Sequence, residues 1–127
     1  LMRSRVLIVD DEDNVRRSLA IGLRLQSYEV TEASDGDEAL RFFEEGGKVD
    51  CAVIDLMMPG ISGLDLAREL RARCPEVRVV LTSAYHLTER QLERADVGVV
   101  GFVPKPFRLD ELVEFIDKKC SVPPSAP

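Results

Sequence analysis

Apolar runs and helical stripes alternate along the chain, five of each. The first run, RVLIVD at 5–10, is followed by a stretch in which Val15, Leu19 and Leu23 recur on one helical face. YEVTEA at 28–33 alternates apolar and polar positions, the pattern of a strand with one wet face. A short helical stripe over 35–44 places Ala39, Leu40 and Phe43 together, and Asp35 with Glu38 forms a start signal of the capping kind. CAVID at 51–55 is a third strand. The third helix starts near Ser62, uses Leu66, Leu70 and Cys74 as its inner face and is stopped by Pro75.

VRVVLTS at 77–83 is the fourth strand. A polar helix over 88–95 follows, with Thr88 and Gln91 as a capping box and only Leu92 and Ala95 to bury, so it is expected to be loosely held. VVGFV at 99–103 is the fifth strand, and a last helix over about 109–120 turns Leu112, Val113 and Ile116 inward.

Strands alternating with helices require parallel crossovers, which predicts an α/β doubly wound sheet of five strands and five helices in one domain. RVLIV, CAVI and VVL are apolar on both faces and belong in the middle, YEVTEA at an edge. This fits the strand order 2-1-3-4-5 of flavodoxin-like sheets. The expected domain covers 1–120, and the Pro- and Ser-rich SVPPSAP at 121–127 reads as a linker or disordered tail.

Composition narrows the function. The chain has 127 residues, enough for one core, and a formal charge of -6, which disfavours nucleic-acid binding through its own surface. No apolar run approaches the roughly 18 residues of a membrane span, and the N-terminal apolar run is too short for a signal peptide, so a cytoplasmic protein starting at Met2 is expected. Cys51, Cys74 and Cys120 lie far apart on apolar positions and read as small buried hydrophobes. His86 is the only histidine, and no motif builds a zinc site or a Ser-His-Asp triad around it.

In an open parallel sheet of this order, ligands collect at the C-terminal ends of strands 1 and 3. Strand 1 ends in Asp10 and Asp11, strand 3 in Asp55. Three ionised carboxylates persist together around a cation, and hard oxygen donors favour Mg²⁺. Strand 4 ends in Thr82-Ser83-Ala84 and strand 5 leads to Lys105, adding a hydroxyl and an ammonium. Together these groups suit phosphoryl transfer with Asp55 as nucleophile.

Taken in order, IVDDED (8–13), VIDLMMPGISG (53–63), LTSAY (81–85) and GFVPKPF (101–107) resemble the receiver domain of two-component response regulators over nearly the whole chain up to Cys120. The resemblance implies that Asp10, Asp11, Asp55 and the Met57 backbone carbonyl hold Mg²⁺, with Mn²⁺ as a substitute. Asp55 would accept the phosphoryl group from the phosphohistidine of a sensor histidine kinase or phosphotransfer protein. Lys105, before a cis Pro106, would pair with the phosphoryl oxygens. Ser83 and Phe102 would form the switch, signalling through helix 4, strand 5 and helix 5, where a phosphorylation-dependent homodimer could also form. Such a domain catalyses its own phosphorylation and dephosphorylation but acts mainly as a switch.

Met57 and Tyr85 stand two residues after Asp55 and Ser83, beside the path of attacking water, and are expected to lengthen the phosphoryl lifetime. Arg108 replaces an acidic cap at the last helix, leaving its N-terminus to Asp110 and Glu111. The Pro-rich tail fits either a linker to an output domain absent from this chain or the end of a stand-alone receiver. The rival readings are weaker. A haloacid-dehalogenase-like phosphatase wants an acid where Met57 stands. An FMN module wants a phosphate-cradling loop where the chain has Asp-Asp-Glu-Asp. An interaction module of the same fold that works without phosphorylation is the remaining alternative, and the intact acid set with Lys105 argues against it.

Overall fold

The computed structural model describes residues 4–84 and 99–120. Strands β1 (Arg5–Val9), β2 (Glu29–Ala33), β3 (Cys51–Asp55), β4 (Arg78–Ser83) and β5 (Val99–Pro104) alternate with helices α1 (Asp13–Leu25), α2 (Gly36–Glu44), α3 (Gly63–Arg73) and α4 (Leu109–Cys120). The helix expected over 88–95, Tyr85 and the tail over 121–127 lie outside the described residues.

The five strands form one parallel sheet in the order β2-β1-β3-β4-β5. Strand alternation sends Leu7, Val9, Ile54 and Leu81 to one face, against Leu66 and Leu70 of α3 and Ala39 of α2. Val6, Ile8, Val53 and Val80 go to the other face, against Leu19 and Leu23 of α1 and Leu112 and Ile116 of α4. Each such fully buried Leu or Ile contributes about 2 kcal/mol of transfer free energy. The edge strand β2 is mostly half-buried, with Ala33 its one fully covered residue, as its alternation requires. No helix among the described residues is long and apolar enough to cross a membrane.

Local signals set the helix starts. Asp35 Oδ1 accepts the Glu38 amide at 2.8 Å, and Ser62 Oγ accepts the Asp65 amide at 3.2 Å. Asp110 and Glu111 occupy the first turn of α4, where their charge suits the helix dipole.

Two expectations need correction. The buried stripe of α1 is Arg16, Leu19, Ala20 and Leu23, and Val15 is only half-buried. The helix is rotated so that Arg16 reaches the end of β1, while Val15 lines a groove beside Lys105. Cys51 is fully buried but disulfide-bonded, not a simple packing thiol, and Cys74 is free.

Candidate functional site

The site follows from strand register. In the β1–β3 ladder Ile8 pairs with Val53 and Val9 with Ile54. Continuing one step brings Asp10 beside Asp55, on the side of the sheet that Ile8 and Val53 face. Both acids are buried, each 4% exposed. Each uses Oδ1 to hold the loop that follows it: Asp10 Oδ1 accepts the Glu12 amide at 2.9 Å, and Asp55 Oδ1 accepts the Met57 amide at 3.2 Å. Asp11 is exposed, yet one of its carboxylate oxygens lies with those of Asp10 and Asp55 in a group whose members are all within 4.8 Å of one another.

Two short segments close the site. The β3–α3 connection turns at Gly60, whose φ of +79° suits a residue without Cβ. It then brings Gly63 so near β3 that a Cβ there would press on the Asp55 carbonyl oxygen and stand 2.6 Å from the Leu56 Cα. On the other side the Lys105–Pro106 bond is cis, as the resemblance implies, and the Lys105 amide donates to the Ser83 carbonyl at 2.7 Å. The Lys105 ammonium then donates to Asp10 Oδ2 at 2.9 Å, Glu12 Oε1 at 3.0 Å and Asp55 Oδ2 at 3.2 Å.

The electrostatics follow from this crowding. Burial opposes the charge on Lys105, but hydrogen bonds to Asp10 and Glu12 and the charges of Asp10 and Asp55 outweigh it, so its pKa is raised and it stays protonated. Burial raises the Asp55 carboxyl above its ordinary value. The Met57 amide and the Lys105 charge pull it back, and the Asp10 charge adds to the rise. Three carboxylates thus share one ammonium, and a fourth, that of Asp11, stands beside two of them. The donors are hard oxygens, and opposite ligands of an octahedral Mg²⁺ stand about 4.2 Å apart, close to the spread of this trio. The residues fit Mg²⁺.

The remaining expected residues are placed less closely. Ser83 is fully buried at the end of β4, one residue beyond Thr82, which is the Cα partner of Asp55. Phe102 pairs with Leu81 and packs, partly buried, against the α2–α3 side, away from the acids. The Met57 side chain is 57% exposed beside the site.

Sequence reasoning missed three contributors. Glu12 was read only as part of a repelling acidic loop. Arg16 is legible in hindsight, because positions 16, 19, 20 and 23 make one helical stripe. Gly63 carries no local signal, since its constraint comes from a strand distant in space. A groove of about 490 Å³, lined by Glu12, Val15, Ser18, Lys105, Phe107 and Leu109, opens beside the lysine.

The comparisons with known proteins agree with this geometry. A family model described as response regulator receiver domain matches residues 6–117. The regulatory protein AtoC of Escherichia coli (strain K12) is 39% identical over 109 residues, 86% of this chain and 23% of that protein. The response regulator MprA of Mycobacterium sp. (strain KMS) is 36% identical over 112 residues, 88% of this chain and 48% of that protein. The chain therefore spans less than half the length of either relative.

Among solved structures, the response regulator TrrA of Thermotoga maritima, in complex with Mg²⁺-BeF, superposes with a TM-score of 0.77 at 37% identity, covering 90% of this chain and 96% of that one. The chemotaxis protein CheY4 of Vibrio cholerae gives 0.83 at 26% identity, covering 94% and 99%. With fold, strand-end acids and family match in agreement, the chain belongs to the response regulator receiver domains of two-component signalling.

Proposed function

We propose that Asp55 is the phosphoacceptor of this receiver, that Asp10, Asp11, Asp55 and the Met57 carbonyl hold Mg²⁺, and that Lys105 and Ser83 bind the transferred group. One observation carries the reading. Carboxylate oxygens of Asp10, Asp11 and Asp55 lie within 4.8 Å of one another, and the Lys105 ammonium touches two of those residues. Bound Mg²⁺, or Mn²⁺ in its place, would supply neutralisation of phosphoryl oxygen charge.

The chain's own groups do the rest. Asp55 Oδ attacks the phosphorus of a phosphohistidine, the P–N bond breaks, and the released imidazole nitrogen takes up a proton. The product is an aspartyl phosphate, a mixed anhydride that water later cleaves to carboxylate and inorganic phosphate. Lys105 leaves Asp10 and Glu12 to pair with a phosphoryl oxygen, and the Ser83 hydroxyl donates to another. Movement of Ser83 makes room for Phe102 to turn inward, which remodels the surface around β5 and α4 for a partner or a second copy.

The phosphodonor is a sensor histidine kinase or phosphotransfer protein in the cytoplasm. Residues 1–120 form the switch, and a partner or an output domain would receive its signal. The test is incubation with Mg²⁺ and acetyl phosphate followed by mass spectrometry. One added phosphoryl group that vanishes in Asp55→Asn is expected; no adduct, or one that persists in that variant, removes the reading.

A further inference from the structure

We infer that Arg16 is a positioning residue for the metal-binding loop: its guanidinium fixes the peptide unit that joins Asp10 to Asp11 and so directs the Asp11 carboxylate. The inference rests on the assignment of Asp10, Asp11 and Asp55 to Mg²⁺.

Arg16 is 8% exposed, and a buried charge survives only with its donors engaged. Nη1 donates to the Asp10 backbone carbonyl at 2.8 Å, Nη2 to Asp13 Oδ1 at 2.7 Å, and Nε lies 3.4 Å from Glu32 Oε1. The guanidinium thus ties the end of β1 to the first turn of α1 and to the edge strand β2. On its other side the Asp10 amide donates to the Ala33 carbonyl at 3.1 Å.

Asp10 is therefore held at its amide, its carbonyl and its side chain. The peptide unit is planar, so fixing the Asp10 carbonyl oxygen fixes the direction in which the chain leaves toward the Asp11 Cα. Asp11 is the exposed member of the trio, and this restraint reaches it through the backbone. Packing alone does not call for an ion here. The rest of the stripe is Leu19, Ala20 and Leu23, and an apolar side chain at position 16 would continue it without burying a charge. Groups that orient ligands typically change metal affinity by 10–100-fold.

The test is calorimetric titration of Mg²⁺ into the wild type, Arg16→Met and Arg16→Lys, with the Tm of each metal-free protein. Arg16→Met keeps an apolar stem of similar length. It is expected to weaken Mg²⁺ about tenfold with little change in metal-free Tm. Arg16→Lys, able to reach the Asp10 carbonyl but not all three acceptors, should recover part of the loss. Should Arg16→Met not fold, Asp13→Asn and Glu32→Gln each take the charge from one anchor of the guanidinium and should weaken Mg²⁺ by about threefold.

Unchanged affinity in folded Arg16→Met, or in both anchor variants, overturns the inference. So does an equal loss of affinity in Leu19→Ala, a control for general loosening of α1. A wild type that takes up no Mg²⁺ removes the proposed function and this inference together. Wild-type uptake with an unaffected Arg16→Met removes this inference alone.

Discussion

Lys105 and Asp10, 95 residues apart in the chain, meet at 2.9 Å between Nζ and Oδ2, and the same ammonium reaches Asp55 at 3.2 Å. The lysine stands in for part of the positive charge that the acidic trio requires, so it both supports the metal-free fold and competes with a bound cation. Lys105→Ala should cost about 3 kcal/mol of metal-free stability, because it leaves buried carboxylates uncompensated. It should also tighten Mg²⁺ by roughly tenfold through lost repulsion. Urea unfolding and calorimetry read the two effects, and weaker Mg²⁺ binding in this variant would contradict the competition.

Asp55 gives the opposite sign. Its folded-state carboxyl is raised above the ordinary value of 3.8, first by burial. Below the unfolded pKa both states are protonated and the group is neutral to folding. As pH rises past it, the unfolded chain ionises first and the metal-free fold loses stability until the folded carboxyl has also ionised. Asp55→Asn lacks this penalty. Its metal-free Tm should exceed that of the wild type at pH 7, and the gap should close as pH falls into the ordinary carboxylate range. Thermal melts across that range in a chelating buffer decide it. A gap that is constant with pH would be evidence against the buried carboxyl as its cause.

Met57 follows Asp55 by two residues and is 57% exposed, so beside the proposed acyl phosphate it can hinder a water molecule without being part of the core. Met57→Asn should shorten the lifetime of the aspartyl phosphate severalfold with a stability change within about 0.5 kcal/mol. Phosphate release after removal of the phosphodonor measures it, and an unaltered lifetime would leave Met57 without a protective role.

Gly63 packs its Cα against the end of β3, where a methyl group would strike the Asp55 carbonyl oxygen. Gly63→Ala should destabilise by about 2 kcal/mol, since backbone rather than a flexible side chain must give way. Mg²⁺ binding should fall with it because the Asp55–Met57 turn shifts. Full Mg²⁺ affinity in a folded variant would show that this turn tolerates displacement.

Phe102 packs on the α2–α3 side of the sheet, three residues from the lysine. Phe102→Ala should accept a phosphoryl group at close to the wild-type rate, while the chemical-shift change that phosphorylation produces around β5 and α4 is lost. Retention of that response would remove Phe102 from the switch.

Much of this was legible before any coordinates. The apolar runs placed β1, β3 and β4 at the centre and β2 at the edge because burial on two faces or one is written into strand alternation. Asp35 and Ser62 announced their helices because a cap is a contact three residues long. The acids were found because they end strands, and strand ends are easy to see. Arg16 and Gly63 were not, since their roles depend on atoms that only the folded sheet brings near. Arg16 also broke the expectation that an inward stripe is apolar, which hid it behind Val15. The bond of Cys51 escaped for the same reason: spacing along a chain does not reveal which sulfurs become neighbours.

The ladder that pairs Ile8 with Val53 and Val9 with Ile54 runs without a bulge up to the two acids. An insertion of one residue in either strand would turn one carboxylate to the opposite side of the sheet and dismantle the pair, whatever happened in the loops. The spacing of the two acids is therefore inherited from the lattice of the sheet. Divergence among such domains has room to alter timing and partnership through the flanking loops, while the distance between Asp10 and Asp55 remains out of its reach.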